Sequence, residues 1–152
     1  MLILIPIYKF DINKVLLDEK TKNNVINDSY FYRLFYSDVH ITFNAIYLLF
    51  ELNNIKIEKY FDKIKCLFTY EENETMINEI VNLEKQILNK CKTDIVCKPT
   101  YRIEDQLHNN FIKINESNVE INKYKTKKFI LKISGIWQTE PNIGLTFRFF
   151  LH

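Results

Sequence analysis

Glycine is almost absent from this chain, and where it occurs constrains the fold more than any motif does. Of 152 residues only Gly135 and Gly144 are glycine, and both lie within the last eighteen positions. Glycine supplies positive φ or close backbone approach at little steric cost, so a chain that omits it elsewhere marks here a strand pair with special backbone demands. The same scarcity excludes the glycine-rich loops that cradle phosphates in nucleotide-binding folds.

The segment around the glycines alternates with period two. Phe129, Leu131, Ile133, Gly135 and Trp137 share one face of an expected strand, and Ile130, Lys132, Ser134, Ile136 and Gln138 share the other. On the return arm Leu145, Phe147, Phe149 and Leu151 alternate with Thr146, Arg148, Phe150 and His152. Burying the first set on both arms predicts a C-terminal hairpin over 129–151, with Trp137 facing Leu145, Ile133 facing Phe149 and a loop from Thr139 to Ile143. Gly135 then lies opposite Phe147, whose ring can cover the bare backbone, and Lys132 lies diagonal to Arg148.

The length suits one domain, 1–152, and 47% hydrophobic with 14% aromatic residues argues for a packed core. No apolar run approaches the ~20 residues of a membrane helix, so no membrane partner is expected. The opening Met1 to Phe10 has neither a basic leader nor a small-residue cleavage site and reads as a first strand. Cys66, Cys91 and Cys97 are an odd number without a CxxC pair, which suits reduced thiols inside a cell. Composition is skewed toward Lys, Ile and Asn, with eighteen lysines against three arginines. An A/T-rich coding genome explains that bias better than physical need, so no single Lys or Asn is significant by its type alone.

Several β-like runs, Leu2 to Tyr8, Asn13 to Leu17, Tyr30 to Tyr36, Ile41 to Leu52 and Lys63 to Tyr70, precede the one clear helix. From about 74 to 92 the period changes to 3.6, with Met76, Ile77, Ile80, Val81, Leu83, Ile87, Leu88 and Cys91 in one apolar stripe and Asn73 placed to cap the first turn. After Pro99 the chain predicts a short helix near 101–107 and a strand at Phe111 to Ile114. The expected class is mainly β (α+β): an antiparallel β-barrel or sandwich with one amphipathic helix packed on it.

Catalytic signatures are missing. No nucleotide loop, nucleophile elbow or HExxH is present, and His40, His108 and His152 are far apart in sequence. The acidic run Glu71-Glu72-Asn73-Glu74 is explained by the positive end of a helix, and neither metal nor cofactor is expected. The reading is therefore of a non-enzymatic protein.

What remains is an aromatic and basic constellation. Residues 1–97 carry twelve basic and fourteen acidic side chains, whereas residues 98–152 carry nine and five, so the basic excess travels with the hairpin. Lys132 and Arg148 on its polar face, extended by Lys123, Lys125, Lys127 and Lys128, predict a phosphate-binding patch. Upstream, Tyr30, Tyr32 and Tyr36 occupy one face of a run whose other face holds Phe31, Arg33 and Phe35, so one side is core and the other a candidate stacking platform. Tyr30, Tyr32, Tyr36 and Tyr124 are the candidate stacking rings and Arg33 a further phosphate contact.

The order of strands, helix and closing hairpin looks like an OB-type barrel. The segments Ser134-Gly-Ile-Trp137 and Gly144-Leu-Thr-Phe147, with Phe31 to Ser37, Phe43 to Leu48 and Leu83 to Leu88, are similar to small proteins of nucleocytoplasmic large DNA viruses. That resemblance implies an intracellular setting, in the host cytoplasm (a viral factory) or the virion, and names no catalytic residues. Two functions are expected of such a chain: binding single-stranded nucleic acid, or serving as a viral scaffold that homo-oligomerises or holds a viral protein partner.

Overall fold

The computed structural model describes residues 3–24, 28–93, 96–115 and 126–152. Lys123, Tyr124 and Lys125, three of the expected contacts, lie outside them. Among the described residues the fold is mainly β with two α-helices, and its organising strand is the long β11.

In chain order the strands before the first helix are β1 (Ile5–Pro6), β2 (Val15–Leu17), β3 (Thr21–Lys22), β4 (Ser29–Ser37), β5 (Thr42–Phe43), β6 (Ile46–Asn53), β7 (Lys56–Tyr60) and β8 (Lys63–Leu67). Then follow α1 (Tyr70–Lys90), β9 (Lys98–Thr100), α2 (Arg102–His108), β10 (Phe111–Ile114), β11 (Thr126–Thr139) and β12 (Asn142–Leu151). A short 3₁₀ turn at Ile7–Lys9 cuts the expected first strand down to β1, and another at Ile12–Lys14 leaves β2 of the run expected from Asn13 to Leu17. Strands β7, β8 and β10 form a separate three-stranded antiparallel sheet, and the remaining strands belong to a nine-stranded one. Both sheets are open, so the expected barrel does not close.

β11 is long enough to serve two neighbours end to end. Its first half, Thr126 to Ile133, pairs antiparallel with β6, and its second half, Gly135 to Thr139, pairs antiparallel with β4, while β12 runs along its other side. The switch of neighbour falls at Ser134, where a bulge interrupts the register with β12. A bulge adds one residue to one strand and so reverses the side-chain alternation beyond it.

That reversal corrects the expected hairpin. Phe129, Leu131 and Ile133 are buried as the alternation predicts, but past Ser134 the buried side chains are Ile136 and Gln138, and Trp137 leaves the interior. Lys132 pairs directly with Arg148, Ile133 with Phe147 and Trp137 with Gly144. Only Glu140 and Pro141, joined by a cis peptide, separate the two strands, so the turn is shorter than the five residues expected. Each glycine is covered by an aromatic ring, although not by Phe147: a Cβ on Gly144 would strike the Trp137 indole, and one on Gly135 would strike the Phe31 ring and the Tyr32 carbonyl. The absence of a side chain is what lets those rings lie on the strand.

The core lies between the inner face of the large sheet and α1. Ile77, Ile80, Val81, Leu83, Ile87 and Leu88 meet Leu48, Phe50, Leu52, Phe129, Leu131 and Phe149 in one cluster. Phe50 stacks on Phe129 with centroids 5.5 Å apart and meets Phe149 edge-on at 6.1 Å. The helix starts at Tyr70, earlier than its apolar stripe predicts, and Asn73 is not its cap. Asn73 has non-helical angles (φ −130°, ψ 17°), and its side chain accepts from Asn53 N at 2.6 Å while donating to Asn53 O and Thr69 O. It ties the helix entry to the end of β6, a bond between elements that no local pattern encodes.

Candidate anion-binding face

The outer face of the large sheet holds the candidate site, and the bulge shapes it. Where β11 leaves β6 for β4 the two neighbours part around Ser134, opening a cleft of about 560 Å³. Arg33 and Phe31 reach it from β4, Phe43 from β5, Tyr47 from β6, and Lys132 and Ser134 from β11. The Lys132 ammonium sits 5.5 Å from the centre of the Tyr47 ring. Among the described residues that line the cleft none is acidic. Arg33 and Lys132 form no ion pair with any described residue, so their charge is left for a ligand or solvent.

A second concavity, about 400 Å³, runs along the other side of β12. Lys63 of β8, Arg102 and Gln106 of α2, Lys113 of β10, Asn115 and Arg148 line it. Arg102 lies 4.7 Å from the Trp137 ring, and Arg148 lies 5.2 Å from the Phe150 ring and donates from Nη2 to the Asn115 carbonyl at 3.4 Å. Lys132 and Arg148 are cross-strand partners, so the cleft and this groove adjoin over the middle of the hairpin. The two cations lean apart, however, one toward β6 and the other toward β10. The single phosphate-binding patch expected from the sequence is divided between two neighbouring basic concavities.

Arg102 is held in place from within the core. Helix α2 has no side-chain cap at its own N-cap residue Tyr101; instead Glu84 of α1 accepts from Ile103 N through Oε2 and from Glu104 N through Oε1, both at 3.0 Å. Glu84 is fully buried, and desolvation pushes its carboxyl up to about 7 despite those two donors. Sequence reading missed this residue because it sits inside the apolar stripe of α1.

The expected contacts divide. Arg33, Lys132 and Arg148 reach the outer face. Tyr32 and Tyr36 do not: both are buried, Tyr32 donating its hydroxyl to Gln138 Oε1 at 2.7 Å and the Tyr36 oxygen accepting from Asp11 N at 3.1 Å. Tyr30 is half-buried with the Lys20 ammonium 4.6 Å from its ring centre. Lys127 is also a correction, since it is 4% exposed and its pKa is lowered by desolvation. It belongs to the same parity as Phe129, so alternation carries it inward. Lys128 is exposed, but it stands directly across from Glu51 of β6. The rings that do face the cleft, Phe31, Phe43 and Tyr47, come from faces read as core or left unassigned.

Other chemistry is sparse. Cys66, Cys91 and Cys97 are free, and burial holds the Cys66 and Cys91 thiols up to about 11, which keeps them protonated. Among the described residues no cluster of His, Cys, Asp and Glu is arranged to hold a metal ion, and no described helix is long and apolar enough to cross a membrane. No family model, curated protein or solved structure matches this chain.

Proposed function

We propose that this protein binds single-stranded nucleic acid across the outer face of β4, β11 and β12 without catalysing a reaction on it. The observation that carries the reading is the convergence of all three arginines of a lysine-rich chain, Arg33, Arg102 and Arg148, with Lys132, on two adjoining concavities whose described linings contain no carboxylate. A guanidinium offers a planar fork of donors that fits phosphate, and like charges gathered without acidic partners favour a polyanion. Phe31, Phe43 and Tyr47 add ring surface beside the charge, and base stacking contributes about 1–3 kcal/mol per base whatever the sequence. The cleft lining includes no His, Cys, Asp or Glu among its described residues, which favours binding over proton-transfer chemistry. The OB-like expectation survives in this reading only as the use of an open antiparallel face as a platform for one strand. The infected-cell setting implied by the viral resemblance belongs to the same proposal.

A titration of fluorescent single-stranded oligonucleotide at low salt tests it. Saturable binding that weakens steeply with added salt is expected, with at least a tenfold loss in the Arg33→Glu, Lys132→Glu double variant. No binding, or binding indifferent to that variant, rejects the proposal. Light scattering separates the scaffold alternative, which an oligomer whose size ignores added oligonucleotide would favour.

A further inference from the structure

The hairpin of β7 and β8 ends in a feature that packing does not explain. At its tip Phe61 is 90% exposed and Tyr60 67% exposed, their rings meeting edge-on with centroids 5.0 Å apart. Phe61 also adopts φ 54°, the left-handed region in which Gly, Asn or Asp is the usual hairpin residue. The backbone conformation costs stability and the exposed ring gains none from burial, whereas a glycine or asparagine would take the turn at little cost. Of the described residues, Phe61 combines high exposure of a large ring with positive φ, a combination that marks a functional candidate.

The tip stands beside the second concavity. Tyr60 is the cross-strand partner of Lys63, and Lys63 lines the groove with Arg102, Lys113 and Arg148. Those four cations come from β8, α2, β10 and β12, so tertiary structure rather than a run of sequence gathers them. None of them forms an ion pair with a described residue. Two residues of chain span at most about 7 Å, so Phe61 and the groove residue Lys63 are within one nucleotide's reach of each other.

From this arrangement we infer that the groove and the Phe61 tip form a second contact for the same strand of nucleic acid, with phosphates among Lys63, Arg102, Lys113 and Arg148 and a base stacked on Phe61. The inference rests on the function proposed above and extends it: the strand leaves the cleft at Lys132, crosses the hairpin at Arg148 and ends against an aromatic wedge. Length dependence follows, because a short oligonucleotide fills the cleft alone while a longer one reaches the tip.

Fluorescence anisotropy with single-stranded oligonucleotides of about four and about twelve nucleotides, within the range of site sizes for sheet platforms, tests this directly. For the longer strand, Lys63→Glu with Lys113→Glu is expected to weaken binding about tenfold or more and Phe61→Gly about fivefold, with the shorter strand unaffected by either. Glycine suits the left-handed turn, so Phe61→Gly keeps or raises the melting temperature, and its loss of binding is not unfolding. If the longer strand binds no tighter than the shorter, or if either variant leaves its affinity unchanged, the second contact is overturned while the cleft proposal stands. If neither strand binds the wild-type protein, both fall together.

Discussion

The two faces of β4 have nearly the same composition and opposite fates. Tyr30, Tyr32, Leu34 and Tyr36 point one way, and Phe31, Arg33 and Phe35 the other. Three of the four side chains on the tyrosine face carry a hydroxyl, yet Tyr32, Leu34 and Tyr36 are the buried set. The hydroxyls decide it by finding partners, Tyr32 donating to Gln138 and Tyr36 accepting from the Asp11 amide, so neither oxygen is buried without a hydrogen bond. The phenylalanine face turns outward because Arg33 needs water or an anion and because the Phe31 ring lies over Gly135. The lesson is that an aromatic face is core or platform according to what its neighbours offer, not according to its own polarity.

Substitutions on the two faces are expected to separate stability from binding. The largest effect belongs inside: Phe129→Ala empties the stack with Phe50 and Phe149, and urea unfolding should show a loss of about 3–5 kcal/mol. A loss under 1 kcal/mol there would mean the inner face is not the core.

Next is the pH dependence carried by Glu84. Its folded pKa of about 7 lies above the ordinary 4.5, so the folded state favours the protonated form. Stability from this group is therefore full below pH 4.5, declines as pH rises and is lost by about pH 7, a change of up to about 3 kcal/mol. Denaturation midpoints of the wild type, measured relative to Glu84→Gln across that window, should fall with rising pH. A flat difference would show that the Glu84 carboxyl titrates normally.

A smaller effect is expected at Tyr32, where Tyr32→Phe removes the donor to Gln138 Oε1 and should cost about 1–2 kcal/mol with oligonucleotide affinity unchanged. A loss of affinity without a loss of stability would return this ring to the binding face. The smallest change in stability belongs outside: Arg33→Glu with Lys132→Glu should move the unfolding free energy by less than about 0.5 kcal/mol while altering oligonucleotide binding more than any of the inner changes. A large destabilisation by that pair would make the outer cations structural and sharpen the contrast the other way.

Much of the fold was legible because its signals are local. The 3.6 period from Met76 to Leu88 identifies α1, and the strict alternation from Phe129 to Ile133 puts those residues inside. Lys127 was legible too, since it shares that alternation, although its charge argued for the surface. Strand β7 was not, because Lys56-Ile-Glu-Lys-Tyr60 carries little apolar content and has only a half-buried Ile57 to mark it. Of the site, Lys132 and Arg148 could be named from sequence as cations on the polar face of the hairpin and Arg33 as a cation among strand aromatics, whereas Arg102, Lys63 and Lys113 carried no signal beyond their charge.

By itself the sequence determined that this chain is a mainly β protein with one long amphipathic helix and a glycine-marked hairpin at its end, because periodicity and turn chemistry act over a few residues. Only the tertiary structure decided the bulge at Ser134, the burial of Tyr32 and Tyr36, and the gathering of three distant arginines around one face. Register is settled by what both strands of a pair must pack against, and for β11 those neighbours, β6 and β4, lie about seventy to a hundred and ten residues away in the chain.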